Sequence, residues 1–189
     1  MNQKELELYI HIPFCVKKCS YCDFLSAPAT EQTREAYMSA LFAEIRGNAE
    51  KYRERIVTTI FIGGGTPSLL SGRTVIQLMA ELQKSFCVAE NAEITMEVNP
   101  GTVTTEKLQD FRKAGINRIS IGMQSAQEPE LKMLGRIHDF DCFCRGYREA
   151  VEAGYENINV DIMSGLPGQT METYRDTLEK VLHLSPVPQ

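Results

Sequence analysis

"VTTIFIGGGTPSLLSGRTVIQLMAEL", residues 57–82, holds one complete structural unit. Residues 57–62 are a β-branched run of strand length. Gly63, Gly64 and Gly65 follow, and glycine admits turns closed to other residues. Ser71 supplies a helix cap, and Val75, Leu78, Met79 and Leu82 recur at the spacing of one helical face. The same strand–turn–helix pattern recurs along the chain. Residues 7–12 (ELYIHI), 93–98 (EITMEV), 117–122 (NRISIG) and 157–162 (NINVDI) read as further strands. Tyr37, Leu41, Ile45 and Tyr52 mark a helix over roughly 31–54. A helix after Thr105 carries Leu108 and Phe111 and ends at Gly115. Phe143, Tyr147 and Val151 line another that ends near Gly154. Thr170 caps the last, with Tyr174, Leu178, Val181 and Leu182 inside and Pro186 beyond its end.

Strands alternating with helices predict parallel strands joined by right-handed crossovers. Each strand runs straight into an unusual peptide: PFC, GGGTP, NPG, MQS and SGLPG. Special residues at the C-terminal ends of five parallel strands predict a partial (β/α) barrel with its site on the top-face loops. A doubly wound open sheet would also put its site at the strand ends, and periodicity does not separate the two. The 189 residues suit one domain. A net charge of −5 and a pI of about 5.3 exclude the basic footprint of a nucleic-acid binder. No apolar run is long enough to span a bilayer. The start, MNQKELELYIHI, has no basic-then-apolar signal pattern, so a cytoplasmic location is expected. In that setting six cysteines read as metal-binding or reactive thiols rather than a disulfide framework.

"HIPFCVKKCSYCDF", residues 11–24, places Cys15, Cys19 and Cys22 directly after the first strand. C-x3-C-x2-C lets one loop wrap three corners of a compact cluster. A structural zinc site normally closes with four protein ligands, and an electron-transfer iron–sulfur centre takes four cysteines. Three thiols therefore point to a [4Fe–4S] cluster with one iron open to a small molecule. A zinc site borrowing His11, or reduced thiols without a role, are the alternatives. Cys142 and Cys144 lie two apart on a helix and so do not face one metal; with Cys87 they read as packing residues. Lys17 and Lys18 read as solvated, and His138 and His183 carry no assignment.

The cysteine spacing, with Tyr21 before the last thiol, resembles the signature of radical S-adenosylmethionine enzymes. "YIHIPFCVKKCSYCDF", "FIGGGTPSLL", "EVNPGT", "RISIGMQS", "LGRIH" and "NVDIMSGLPGQT" resemble more narrowly the oxygen-independent coproporphyrinogen III oxidase family and its haem-chaperone branch, HemW. The likeness runs from about residue 8 to 182. It implies a [4Fe–4S] cluster whose open iron is held by the amino and carboxylate groups of S-adenosylmethionine. In that family an electron from the reduced cluster splits the sulfonium to a 5′-deoxyadenosyl radical. The cofactors carry that chemistry, and the protein positions them.

The resemblance also implies a cofactor cradle. Gly64, Gly65 and Thr66 would meet the amino group and its surroundings. Glu97, by itself a solvated strand-end residue, would hold polar groups of the cofactor. Tyr9, Tyr21, Gln124 and Asp161 would be further contacts, and Asp161, inside an apolar strand, needs a partner. Arg136, twelve residues after Gln124, would pair with the carboxylate. The family core has six βα units, against five here. Residues 1–189 are thus expected to be a truncated core with a cluster loop at 13–24, an open edge at the fifth strand and no C-terminal family domain. The oxidase branch carries another cysteine two positions after the last of the trio, where this chain has Phe24. "CDF" resembles the HemW branch, implying haem and haem-accepting proteins as partners. Oxidative decarboxylation of porphyrinogen propionates is the alternative. A plain cluster carrier would leave Gly64, Glu97, Gln124 and Arg136 without a task.

Overall fold

The computed structural model describes residues 4–184. Five strands form one parallel sheet in the order β1-β2-β3-β4-β5: β1 Lys4–Ile12, β2 Arg55–Gly64, β3 Cys87–Val98, β4 Arg118–Gln124 and β5 Asn157–Ile162. A doubly wound sheet reverses its strand order at a switch point; this order never reverses. The helices are α1 Glu31–Tyr52, α2 Gly72–Ser85, α3 Thr105–Lys113, α4 Glu128–Met133, α5 Phe140–Glu152 and α6 Met171–Leu182, with a short 3-10 turn at Pro67–Leu69. Neighbours pack in sequence along one layer, α1 on α2, α2 on α3 and α3 on α5. The architecture is the expected partial (β/α) barrel of five units.

Side-chain alternation divides the sheet into two faces. Ile10 and Ile12, Ile60 and Ile62, Ile94 and Met96, and Ile119 and Ile121 point to the helices and join Leu78, Leu82, Phe111 and Phe143 in one core. Each such side chain contributes about 1.5–3 kcal/mol on burial. The opposite parity, including His11, Glu97, Ser120 and Asp161, lines the concave face. Polar side chains there and apolar ones behind fix the register, because a slip of one residue would exchange them. Thr30, Ser71, Thr104, Asp139 and Thr170 cap α1, α2, α3, α5 and α6 through side-chain oxygens, each worth about 1 kcal/mol.

The structure departs from the sequence reading in local details. β1, β2 and β3 start earlier than their apolar runs, because pairing with a neighbour extends a strand into polar sequence. The helix α4 is too short for periodicity to reveal. Val151 and Leu182 are exposed, while Gly146 and Ala150 of α5 and Thr177 of α6 take the buried places. Cys87 is exposed at the start of β3 rather than packed. Pro186 lies outside the described residues. Among those residues, no helix is long and apolar enough to cross a membrane.

Candidate functional site

The three cysteines leave β1 in a loop closed by its own backbone. The Cys15 N–H donates to Ala27 O at 3.1 Å, and the Ala27 N–H to Pro13 O at 3.0 Å. His11 ties down the far side: its Nε2 donates to Leu25 O at 2.9 Å and its Nδ1 accepts from Tyr9 Oη at 3.1 Å. Both ring nitrogens are engaged, so His11 is not a spare zinc ligand. Lys18 donates to Phe24 O, bracing the loop rather than simply facing water. The segment after α4 clamps the loop from above. The Ser20 N–H donates to Leu134 O at 3.0 Å, and a side chain at Gly135 (φ +72°) would meet Ser20 Oγ at 2.8 Å. The "LGR" of the sequence is thus a glycine-permitted approach followed by an arginine aimed at Cys19.

Cys15, Cys19 and Cys22 line one cavity of about 350 Å³ with Tyr21, Gly64, Gly65, Thr66, Glu97, Gln124, Arg136 and Asp161. Tyr9 is apart from it; 56% exposed, it stacks on Phe61. Lys17, Phe24, Asn99, Ser120, Gly122 and Met163 also line the cavity, and sequence reasoning had given none of them a place in the cradle. The "NP" after Glu97 was a signal for Asn99, and Ser120 shares the inward parity of Gly122.

The glycine turn holds the carboxylate. The Gly64 N–H, at φ +113°, donates to Glu97 Oε2 at 3.0 Å. A Cβ at Gly64 would lie 2.5 Å from the His11 ring. The Gly65 and Thr66 N–H groups donate to Ile12 O at 2.8 Å and Phe14 O at 2.7 Å. With those donors committed, the turn's remaining backbone groups are carbonyl oxygens, which suit an ammonium rather than an anion. Burial pushes the Glu97 carboxyl above its usual range; the Gly64 N–H opposes this, nearby Asp161 adds to it, and His11 opposes it. Asp161 finds the partners its place in the strand demands: Ser120 Oγ at 3.1 Å and Asn159 Nδ2 at 2.7 Å.

Arg136 is largely committed. Its Nη2 donates to Asn99 Oδ1 at 2.9 Å and to Gly122 O. Its Nη1 reaches Cys19 Sγ at 3.7 Å and Tyr21 Oη at 3.5 Å. Its two Nη atoms are thus engaged, and the buried Nε is the one nitrogen left without a partner. Burial also raises the Tyr21 hydroxyl, against the pull of Arg136. Gln124, at φ +70°, is the non-glycine residue with positive φ among the described residues. It sits where the β4–β5 register shifts. Such strain costs about 1–3 kcal/mol and gathers at ligand sites.

A parallel partial barrel with three clustered thiols and a polar cradle at its strand ends defines a cofactor-binding α/β protein. The Radical SAM superfamily matches residues 9–181, and the chain belongs to it. It is 45% identical to the haem chaperone HemW of Escherichia coli (strain K12) over 182 residues, covering 96% of this chain and 48% of that protein. With HemW of Haemophilus influenzae the identity is 41%, over 96% of this chain and 49% of that protein. The chain spans about half the length of these relatives. Its fold superposes on the coproporphyrinogen III oxidase (HemN) of Escherichia coli with a TM-score of 0.88 at 33% identity, covering 97% of this chain and 42% of that one.

The family implies a [4Fe–4S] cluster and S-adenosylmethionine, and the residues fit both. Three free thiols border one cavity, with hydroxyl and guanidinium donors at two sulfurs. The orphaned Arg136 Nε suits a carboxylate, and Glu97 with the turn carbonyls suits an amino group.

Proposed function

We propose that this chain is the cofactor-binding core of a haem-transfer protein of the HemW type. Cys15, Cys19 and Cys22 hold the cluster. Gly64, Gly65, Thr66 and Glu97 hold the amino end of S-adenosylmethionine, Arg136 its carboxylate, and Tyr21, Gln124 and Asp161 its remaining polar groups. Tyr9 acts at one remove, fixing His11 and through it the loop. When bound, the cluster supplies an electron to the sulfonium. The protein's share is to orient the cofactor and keep polar groups paired. Six cysteines without a disulfide support a reducing compartment such as the cytoplasm. The HemW-type relatives are about twice as long, so residues 1–189 supply the core, and a sixth unit and a C-terminal domain supply the haem ligands and the docking of haem-accepting proteins.

Phe24 carries the choice between haem transfer and porphyrinogen oxidation. It lines the cavity where the oxidase branch has a cysteine, and a phenyl ring offers no thiol to a second polar ligand. Higher identity to the haem chaperones supports the same choice.

Anaerobic reconstitution should load about one [4Fe–4S] cluster per chain. Alanine at any of the three cysteines should remove most of the iron, while alanine at Cys87, Cys142 or Cys144 should not. S-adenosylmethionine should change the reduced cluster's paramagnetic resonance spectrum, and Glu97→Ala should weaken that change with iron retained. With reductant, S-adenosylmethionine and coproporphyrinogen III, even a version restored to the length of its relatives should give no protoporphyrinogen IX on chromatography; its stoichiometric appearance would favour the oxidase.

A further inference from the structure

Asn99 is the first residue beyond β3, next to the cysteine loop but not part of it. Its backbone N–H donates to Ser68 Oγ at 3.2 Å, and Ser68 is fully buried, so the residue is held firmly. Its side chain faces two ways. Nδ2 donates to Thr66 Oγ1 at 2.9 Å, and Oδ1 accepts from Arg136 Nη2 at 2.9 Å. Each partner reaches a thiol: Thr66 Oγ1 donates to Cys15 Sγ at 3.7 Å, and Arg136 Nη1 to Cys19 Sγ at 3.7 Å. One amide therefore ties together the donors of two cysteines whose own loop does not fix those donors.

The direction of each bond follows from donor counting. A hydroxyl has one proton and two acceptor lone pairs. Once Thr66 Oγ1 accepts from Asn99, its own proton is free for the sulfur. Arg136 Nη2, held by Asn99 Oδ1 and Gly122 O, leaves Nη1 turned to Cys19. β4 makes room for this: a Cβ at Gly122 would stand 3.1 Å from Asn99 Oδ1 and 3.3 Å from Arg136 Nη2. Thr66 is 3% exposed, so water does not substitute readily for the missing bond.

We infer that Asn99 is a positioning residue that sets the reduction potential of the cluster by directing the Thr66 hydroxyl and the Arg136 guanidinium onto the sulfurs of Cys15 and Cys19. This rests on the cluster reading above. Adding an electron puts negative charge on the cluster and its thiolates. Hydrogen bonds to cluster sulfurs stabilise that charge and raise the potential. Asn99 lines the same cavity, but its amide is engaged by Thr66 and Arg136, and it acts through these two partners.

The test is a redox titration of the reconstituted wild type, Asn99→Ala, Asn99→Asp and Thr66→Val, with iron content measured in parallel. Asn99→Asp keeps an acceptor for Arg136 but draws the Thr66 proton away from Cys15. Thr66→Val removes that proton and nearly preserves the shape. All three should load iron as the wild type does. At a fixed ambient potential the ratio of reduced to oxidised cluster should fall about tenfold in Asn99→Ala, which for one electron is about 59 mV. Asn99→Asp and Thr66→Val should fall in the same direction. Normal iron with an unshifted potential in Asn99→Ala overturns the inference. If the Asn99 variants lose the cluster, an unshifted potential in Thr66→Val overturns it equally, and a lowered one supports it. A wild type that loads no cluster would instead refute the cluster reading itself.

Discussion

His138 shows how a single buried ring responds to its neighbours. It is 8% exposed, and its Nε2 donates to Met123 O at 3.2 Å. Burial first, and the Arg136 charge second, lower its pKa from 6.5 to about 4. In the unfolded chain the ring takes up a proton below about 6.5 that the folded chain refuses until about 4. Stability should therefore fall as pH drops through that window, and the gap corresponds to roughly 3 kcal/mol. Denaturant titrations of wild type and His138→Gln between pH 4 and 7 check this. The substitution should flatten the slope; parallel slopes in the two proteins would count against a neutral buried ring. Carboxylates titrate in the same range, so the difference between the proteins is the informative quantity.

At the scale of elements, α4 does more than its six residues suggest. Glu130 is 7% exposed and accepts from Ser125 Oγ at 2.6 Å, Gln169 Nε2 at 3.1 Å and Thr173 Oγ1 at 2.9 Å. Those donors lie after β4, after β5 and in the first turn of α6. One carboxylate therefore pins the loop that follows β5 against the element carrying Arg136 toward the cysteine loop. Glu130→Ala would strand the Ser125 hydroxyl, while Gln169 Nε2 keeps Met163 O at 3.3 Å and Thr173 Oγ1 keeps Thr170 O at 3.2 Å, and should cost about 1–3 kcal/mol, the penalty for one stranded polar group. Urea unfolding at neutral pH measures it, and a loss below about 0.5 kcal/mol would mean that water replaces the carboxylate freely.

Across the whole molecule the sheet has two edges. Among the described residues β5 pairs with β4 alone, and an unpaired edge invites addition of another strand. Backbone N–H groups of β5 that point away from β4 should exchange with solvent at almost no opening cost. Those of β2, β3 and β4 should exchange only through openings that approach the global stability. Raising protein concentration should slow exchange in β5 if chains associate along that edge. Strong protection of those same amides in a dilute, monomeric sample would show the edge to be covered. The partial barrel leaves its polar concave face at the cofactor cavity, so edge and site belong to one design problem: a closed barrel hides edges but narrows access.

The repeating βα units, the cysteine loop and the glycine turn are legible in the chain because each is a local pattern. Strand parity, helix periodicity and thiol spacing act over a few residues, and Cys15, Cys19 and Cys22 sit within eight positions. Sequential strand order then follows from short right-handed crossovers. Pairings between distant residues were not legible. Arg136 and Cys19 are 117 positions apart, Asn99 and Arg136 37, and Ser120 and Asp161 41. Whether Arg136 is free to fork onto a carboxylate, or Tyr9 faces the cavity, depends on which donors and rings the folded neighbours already occupy. Hydrogen bonds are short and directional, so only the packed sheet, with its strand ends brought side by side, could assign them.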